Sequence, residues 1–260
     1  MQTLAGLRDR VGVQVDVIQL SATQDKPLEQ AIASGTSDTV IVALGPHASD
    51  YLMKLATPAP VVHCLAGAEA VRNGLPSVPS DVPGDQQARW LRKLLPNARS
   101  IGLLFDPSRN TRRAEAMAAS LSMAGYRMLL QPVATPAALP AALETLSGRA
   151  DAVLALRDAT VYTRETGRGI LLFLFRRSIP LIGPDDAWVK NGALYSLDWD
   201  YADVGASCAS HAIRALRGLK PGGEVPVLPR TRVSVNPRTA AGFGLQWLPD
   251  VLRDVDVSHD

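Results

Sequence analysis

The residue types best suited to covalent chemistry in this chain are its two cysteines, and each has a histidine nearby: His63 directly precedes Cys64, and His211 follows Cys208 by three positions. A thiolate beside an imidazole can take up and return a proton, and two such pairs are what a two-cysteine, cofactor-independent racemase would need. One pair ends an apolar β-branched run, whereas the other lies within an Ala-rich helical stretch, so chance proximity is the simpler reading. Two buried free thiols are likewise the simpler state, because a chain of 260 residues can be stabilised by its cores without a crosslink.

Other catalytic signatures are scarce. No strand-linked G-x-G-x-x-G, P-loop, G-x-S-x-G elbow or H-E-x-x-H occurs, so nucleotide, hydrolase and zinc readings lack their minimal residues. The four histidines, His47, His63, His211 and His259, show no paired metal-ligand spacing, and nothing implies a cofactor.

What the sequence does offer is a set of polar or turn residues after short apolar runs. In open α/β sheets such strand ends bind ligands, because loop backbone and helix N-termini aim N–H groups into the crevice. The run 39–44 leads into Gly45, Pro46 and His47; the run 60–64 leads into Leu65, Ala66 and Gly67; the run 100–105 leads into Asp106, Pro107, Ser108, Arg109, Asn110 and Thr111. Ser108, Asn110 and Thr111 can each cap the helix that follows, and a cap at the crevice can also touch a ligand. Arg157 and Asp158 follow the run 152–156. Asp158 could pair with a ligand ammonium or cap the next helix, and the residues leave both open. Asp185, Asp186 and Trp188 follow the run 180–182, with Trp188 available as an apolar wall or as packing.

These positions need a scaffold, and the pattern supplies one. Short β-branched runs at 13–20, 39–44, 60–64, 100–105, 128–133, 152–156, 180–182 and 194–197 alternate with amphipathic stretches at 28–34, 48–56, 84–95, 112–124, 136–147, 160–177 and 202–216. That alternation is the mark of α/β architecture with helices covering parallel sheets. With 260 residues and 47% hydrophobic content, two modest cores are expected. The Pro-rich stretch 74–83 reads as a linker, and the Pro/Gly-rich stretch 218–229 again breaks regular structure before an alternating run at 231–235 and a short helix from Pro237. The expected division is an N-terminal lobe of 1–80, with 200–220 packing back on it, and a C-terminal lobe of 81–199 plus 225–260.

The N-terminal lobe opens unusually: 1–11 reads as a helix leading into its first recognisable strand, whereas a doubly wound lobe normally opens with a central strand. The N-lobe is therefore expected to lack its first strand, as if the sequence started late. Residues 1–10 contain no apolar run suited to a signal h-region, and the longest apolar stretch, 170–175, is too short to span a bilayer, so no membrane insertion is expected. A net charge of +2 with both signs interspersed gives no basic stripe and argues against a nucleic-acid partner.

From Leu95 onward the order of motifs resembles the ABC transporter substrate-binding protein family that includes tryptophan- and tyrosine-binding members. The residues that carry this are Leu95-Pro96-Asn97-Ala98 before Ile101 to Phe105, then Asp106-Pro107-Ser108-Arg109-Asn110. Ala150-Asp151-Ala152-Val153, Ile179 to Ile182, Val189 to Leu194, Asp200 to Gly205, Leu216-Arg217-Gly218, Pro226-Val227, Asn236 to Ala240 and Gly244-Leu245 follow in order. Earlier, Ala43-Leu44-Gly45 with Ala48, and Pro60-Val61-Val62, also fit. After that second strand the family usually shows a polar segment with Asp-Pro, where this chain has Ala66-Gly67-Ala68-Glu69-Ala70.

The resemblance implies two doubly wound parallel-sheet lobes of the type I periplasmic-binding-protein fold, joined by a hinge. It implies closure on a small polar solute such as an amino acid, delivery to a membrane permease outside the cytoplasm, and no catalysis. By position, Ser108 and Asn110 would meet the polar end of the ligand and Asp158 its amino group, with Asp186 and Asp198 near the cleft and Gly45, Pro46 and Leu65 closing it. A cytoplasmic sensor or regulatory module of the same fold is the alternative, since the residues alone leave a cytoplasmic location open.

Overall fold

The computed structural model describes residues 2–11, 15–18, 26–36, 38–67, 69–70, 73–219 and 228–259. It divides into two compact units: unit 1, Met1–Asp81 with Trp199–Arg230, and unit 2, Val82–Asp198 with Thr231–Asp260.

Unit 1 is built on a parallel three-stranded sheet of β1 (Ile41–Leu44), β2 (Val61–Ala66) and β3 (Ser77–Pro79), in that order. β1 pairs with β2 from Ile41 opposite Val61 to Leu44 opposite Cys64, and β2 pairs with β3 through a register shift between Cys64 and Ala66. The stretch expected as pure linker thus contains a strand, which its prolines tolerate because β3 is an edge strand. Of the strand expected at 13–20, residues 15–18 are irregular, and the rest lies outside the described residues. Ile32, Ala43 and Leu52 form a small core on β1, with Ile41, Ala48, Tyr51 and Val61 packed around it.

Helix Gln2–Val11 lies against helix Tyr201–Leu216 at near backbone contact: a Cβ on Gly205 would sit 2.3 Å from the Thr3 carbonyl oxygen, and one on Gly6 would sit 2.5 Å from that of Ala202. No side chain larger than hydrogen fits that crossing. The second helix starts cleanly because the Asp200 side chain accepts from the Ala202 and Asp203 amides. It is also tied covalently to the sheet. Cys64 and Cys208, both fully buried, form a disulfide with Cα atoms 6.0 Å apart. The expectation of two free thiols is therefore corrected: β2 and the helix, remote in sequence, bring the two sulfurs into bonding range, which spacing along the chain does not reveal. The thiol/imidazole racemase reading falls with it, because neither sulfur is available as an acid or base.

Unit 2 carries a seven-stranded sheet in the order β10-β9-β8-β7-β6-β4-β5, formed by β4 (Ser100–Phe105), β5 (Arg127–Pro132), β6 (Ala152–Leu154), β7 (Leu181–Gly183), β8 (Tyr195–Trp199), β9 (Thr231–Val235) and β10 (Val257–Ser258). The pairings from β5 across to β8, and that of β9 with β10, are parallel. All of β4 is buried, as a central strand covered on both faces must be. Helix Leu139–Leu146 turns Leu139, Ala142, Leu143 and Leu146 inward, and helix Arg164–Arg176 turns in Gly167, Ile170 and Leu174; both spacings put one apolar stripe on the sheet. Trp188 packs on Gly167, Gly183 and Tyr162 and joins this core as a wall. Among the described residues, no helix is long and apolar enough to cross a membrane.

Candidate functional site

The strand order of unit 2 fixes where a site should lie. β5 continues the sheet on one side of β4 and β6 on the other, so the connection changes direction between β4 and β6. At such a switch point the loops leaving the two strands diverge and open a crevice at their carboxyl ends. The loops here are 106–110 and 155–163, and they are joined by buried polar side chains.

Asp158 is the hub. Its Oδ2 accepts from the Asp106 amide and from Asn110 Nδ2, each at 2.7 Å, and its Oδ1 accepts from the amides of Thr160 at 2.8 Å and Val161 at 2.9 Å. Asp106 is the counterpart on the other loop. Its Oδ1 accepts from the Ser108 amide at 2.8 Å and hydroxyl at 2.7 Å, and its Oδ2 accepts from the Thr160 hydroxyl at 2.6 Å. These bonds, the one from Thr160 foremost, hold the Asp106 carboxyl below its ordinary range. Only 4% of Asp106, 6% of Asp158 and 8% of Asn110 is exposed, so both acids are buried and satisfied by donors from the chain itself.

Arg113, in the first turn of helix Thr111–Met123, donates from Nη1 to Asn110 Oδ1 and to the Arg157 carbonyl, both at 2.9 Å, tying the loops together a second time. Thr111 turns back to donate to the Pro107 carbonyl at 2.8 Å. Of the residues singled out from the sequence, the structure thus gathers Ser108, Asn110, Thr111 and Asp158 into one cluster.

Asp198 lies along the same edge, near the end of β8. Its Oδ2 pairs with Arg157, whose other Nη atom meets Asp185 Oδ2 at 3.3 Å. The carboxyl ends of β6, β7 and β8 are therefore bridged by one guanidinium. Asp185 also caps helix Asp186–Lys190 by accepting from the Trp188 amide. Asp186 points elsewhere and meets His259 Nε2 at 2.7 Å, beyond β10. Partial burial would raise its carboxyl, but hydrogen bonds from Ser234 and His259 outweigh this and the net shift is downward.

In unit 1, Gly45, Pro46, His47 and Leu65 stand at the carboxyl ends of β1 and β2. Gly45 has φ +96°, and its amide donates to the Cys64 carbonyl at 2.7 Å, closing the turn into helix Pro46–Leu52. Leu65 occupies the bulge at φ +51°, a left-handed conformation costly for a branched side chain, and such strain collects at functional loops. Beneath them, buried Ser49 Oγ and His63 Nδ1 lie 2.9 Å apart, and burial pushes the His63 imidazole down, with nearby Asp50 opposing. His47 is exposed.

Reading the sequence missed Asp106 as a hub, Thr160, Arg113 and the Ser49–His63 pair. A signal existed for the first: an acid stands just past a largely apolar run at each loop, Asp106 after Phe105 and Asp158 two residues after Leu156, which suggests two facing loops that share polar partners.

A family model described as ABC transporter substrate binding protein matches residues 13–254. A tyrosine-binding protein of Clostridioides difficile is 23% identical over 168 residues, which is 63% of this chain and 48% of that protein, so the chain spans about half the length of the curated relative it matches. A crystal structure of an ABC domain from Streptococcus pneumonia in complex with L-Trp superposes with a TM-score of 0.73 at 19% identity, covering 99% of this chain and 94% of that one. A conserved domain protein from Vibrio cholerae gives 0.71 at 21% identity, covering 99% and 94%. At these identities the solved structures show the shared fold: type I periplasmic binding proteins with parallel α/β lobes.

Proposed function

The chain belongs to the ABC transporter substrate binding protein family, and from that premise we propose that it binds a small polar solute, an amino acid or close relative, and delivers it to the permease of an ABC-type uptake system. The observation that carries the solute-binding reading is the switch point of unit 2. Two divergent loops are locked together by Asp106, Asn110, Asp158 and Thr160, so their rims are rigid before any ligand arrives. Preorganised rims spare a ligand the cost of ordering them. Binding needs no covalent step, and the Ser108 and Thr160 hydroxyls serve Asp106 as donors that fix the two loops.

Within this reading Ser108, Asn110, Thr111, Asp158 and Asp198 form or support the ligand surface of unit 2, and Gly45, Pro46, His47 and Leu65 that of unit 1, whereas Asp186, turned to His259, is left out of it. The proposed location is outside the cytoplasm. The buried Cys64–Cys208 disulfide supports it, because such bonds persist in oxidising compartments. The relatives named for tyrosine and L-Trp motivate the amino-acid class.

The test is a thermal-shift and calorimetric screen of the purified protein against amino acids, small amides and sugars. A ligand that binds only the folded state raises the midpoint saturably. One chemical class that does so supports the proposal, and no shift from a folded sample across all of them overturns it.

A further inference from the structure

Leu65 is the strained residue of the unit 1 rim, and its neighbours decide whether the strain survives. The residue before it, Cys64, is held on every side. It stands opposite Leu44 on β1 and Val78 on β3, its carbonyl accepts from the Gly45 amide at 2.7 Å, and its sulfur is bonded to Cys208 of helix Tyr201–Leu216. The residue after it, Ala66, is buried, and its carbonyl accepts from the Ser80 amide at 2.8 Å. Between these anchors the ladder to β3 slips, and Leu65, partly exposed, takes up the extra length at φ +51°. Successive residues of β2 face opposite sides of the sheet, and both sides are tied: His63 to Ser49 of helix Pro46–Leu52, and Cys64 to the helix that carries Cys208. The second tie is covalent.

A left-handed leucine persists only where its surroundings over-determine it. We infer that the Cys64–Cys208 disulfide is a positioning element for solute capture: it holds Leu65 left-handed and the Gly45 turn closed, so that the oxidised chain presents a formed rim and the dithiol chain does not. The inference rests on the solute-binding reading above and adds a redox dependence to it. Tight capture is then confined to compartments in which the bond persists. The exchange balances. A dithiol reductant gives two electrons and two protons to the bond, leaves two cysteine thiols in the chain and closes to its own disulfide, and a disulfide oxidant reverses the step.

The test compares the oxidised protein with Cys64→Ala/Cys208→Ala, by NMR of the whole chain and by calorimetry with L-tyrosine and L-tryptophan as probes. Without the bond the backbone chemical shifts of Leu65 are expected to leave the left-handed range and the Gly45 amide to exchange faster. Probe affinity is expected to fall at least about 10-fold, the scale of one left-handed residue that has lost its support. Ile32→Ala loosens unit 1 through helix Lys26–Ala33 and controls for general loss of stability; it is expected to leave both Leu65 and the affinity in place. A Leu65 that stays left-handed without the bond overturns the inference. So does equal probe affinity with and without the bond, or an Ile32→Ala protein that loses affinity to the same degree. Should the double variant fail to fold, the wild type decides by reciprocity: a saturating probe must raise the dithiothreitol needed for half-reduction at equilibrium, and an unchanged requirement overturns the inference. If neither probe binds the oxidised protein, the aromatic amino-acid reading of the ligand fails; Leu65 leaving the left-handed range in the variant then still upholds the positioning role, and Leu65 staying there sinks both.

Discussion

The carboxyl edges of the two sheets are finished by different means. In unit 2 the loops are joined through side chains: Asp158 and Asp106 gather amides, hydroxyls and a carboxamide, and Arg157 bridges three strand ends. In unit 1 the loops are shaped through backbone, with Gly45 at φ +96°, Leu65 at φ +51° and a bulge, and the sheet beneath is stapled by a disulfide. The seven-stranded sheet holds two buried acids at its rim, each supplied with donors from the chain itself. The three-stranded sheet has a small core, and unit 1 is assembled from two chain segments that meet only after the chain has passed through unit 2, so a covalent tie contributes more there.

The largest expected effect comes from cutting that tie. Replacing both cysteines by alanine, or reducing the bond, should cost roughly 3–5 kcal/mol, the scale for a crosslink closing a long loop. Hydrogen exchange read by mass spectrometry should show the loss in peptides covering β2 and helix Tyr201–Leu216 and spare β4. Equal loosening of both sheets would break the comparison.

The next effect tests unit 2. Asp158→Ala strips the acceptor from buried amides and from Asn110, and each donor left unpaired costs on the order of 1–3 kcal/mol. A fall of about 3 kcal/mol in denaturant unfolding is expected, with Asp158→Asn milder because one oxygen remains. A loss below about 1 kcal/mol would mean that water replaces the acid and that the loops are not locked by it.

A smaller effect probes backbone shape in unit 1. A Cβ on Gly45 would meet nothing within 4 Å, so Gly45→Ala acts through φ alone and should cost about 1 kcal/mol. The hydrogen bond that the Gly45 amide donates to the Cys64 carbonyl should weaken with it, visible as faster exchange at that one site.

Acid titration separates the units most gently. His63 has its folded value lowered below 6.5 by burial, so its contribution is whole above that pH and is lost as pH falls through 6.5 toward the lowered value. Asp106 is held below 3.8, so its contribution is whole above that value and is lost only at still lower pH. Unit 1 should therefore loosen first on acidification, and His63→Gln should flatten that early phase. An unchanged profile in the variant would assign the phase to another group, such as His211, which burial and Arg214 also push down.

Much of this was readable beforehand. β4 and β9 have the bounds expected from their apolar and alternating runs, because a buried strand and a half-buried one leave those patterns in any sequence. Helices Gly84–Leu94 and Thr111–Met123 begin and end within a residue of expectation. β3 was not legible, since three residues among prolines carry no period, and it exists because β2 offers an unpaired edge.

Residue types and order along the chain determined the alternating architecture, the loops that carry polar groups and the family. Partnerships between distant residues were decided only in three dimensions: Cys64 with Cys208, Arg157 with Asp185 and Asp198, and Asp158 with the amide of Asp106. The reason is that local pattern records what each residue prefers as surroundings, whereas a bond between remote side chains depends on strand order and register, which no single segment encodes.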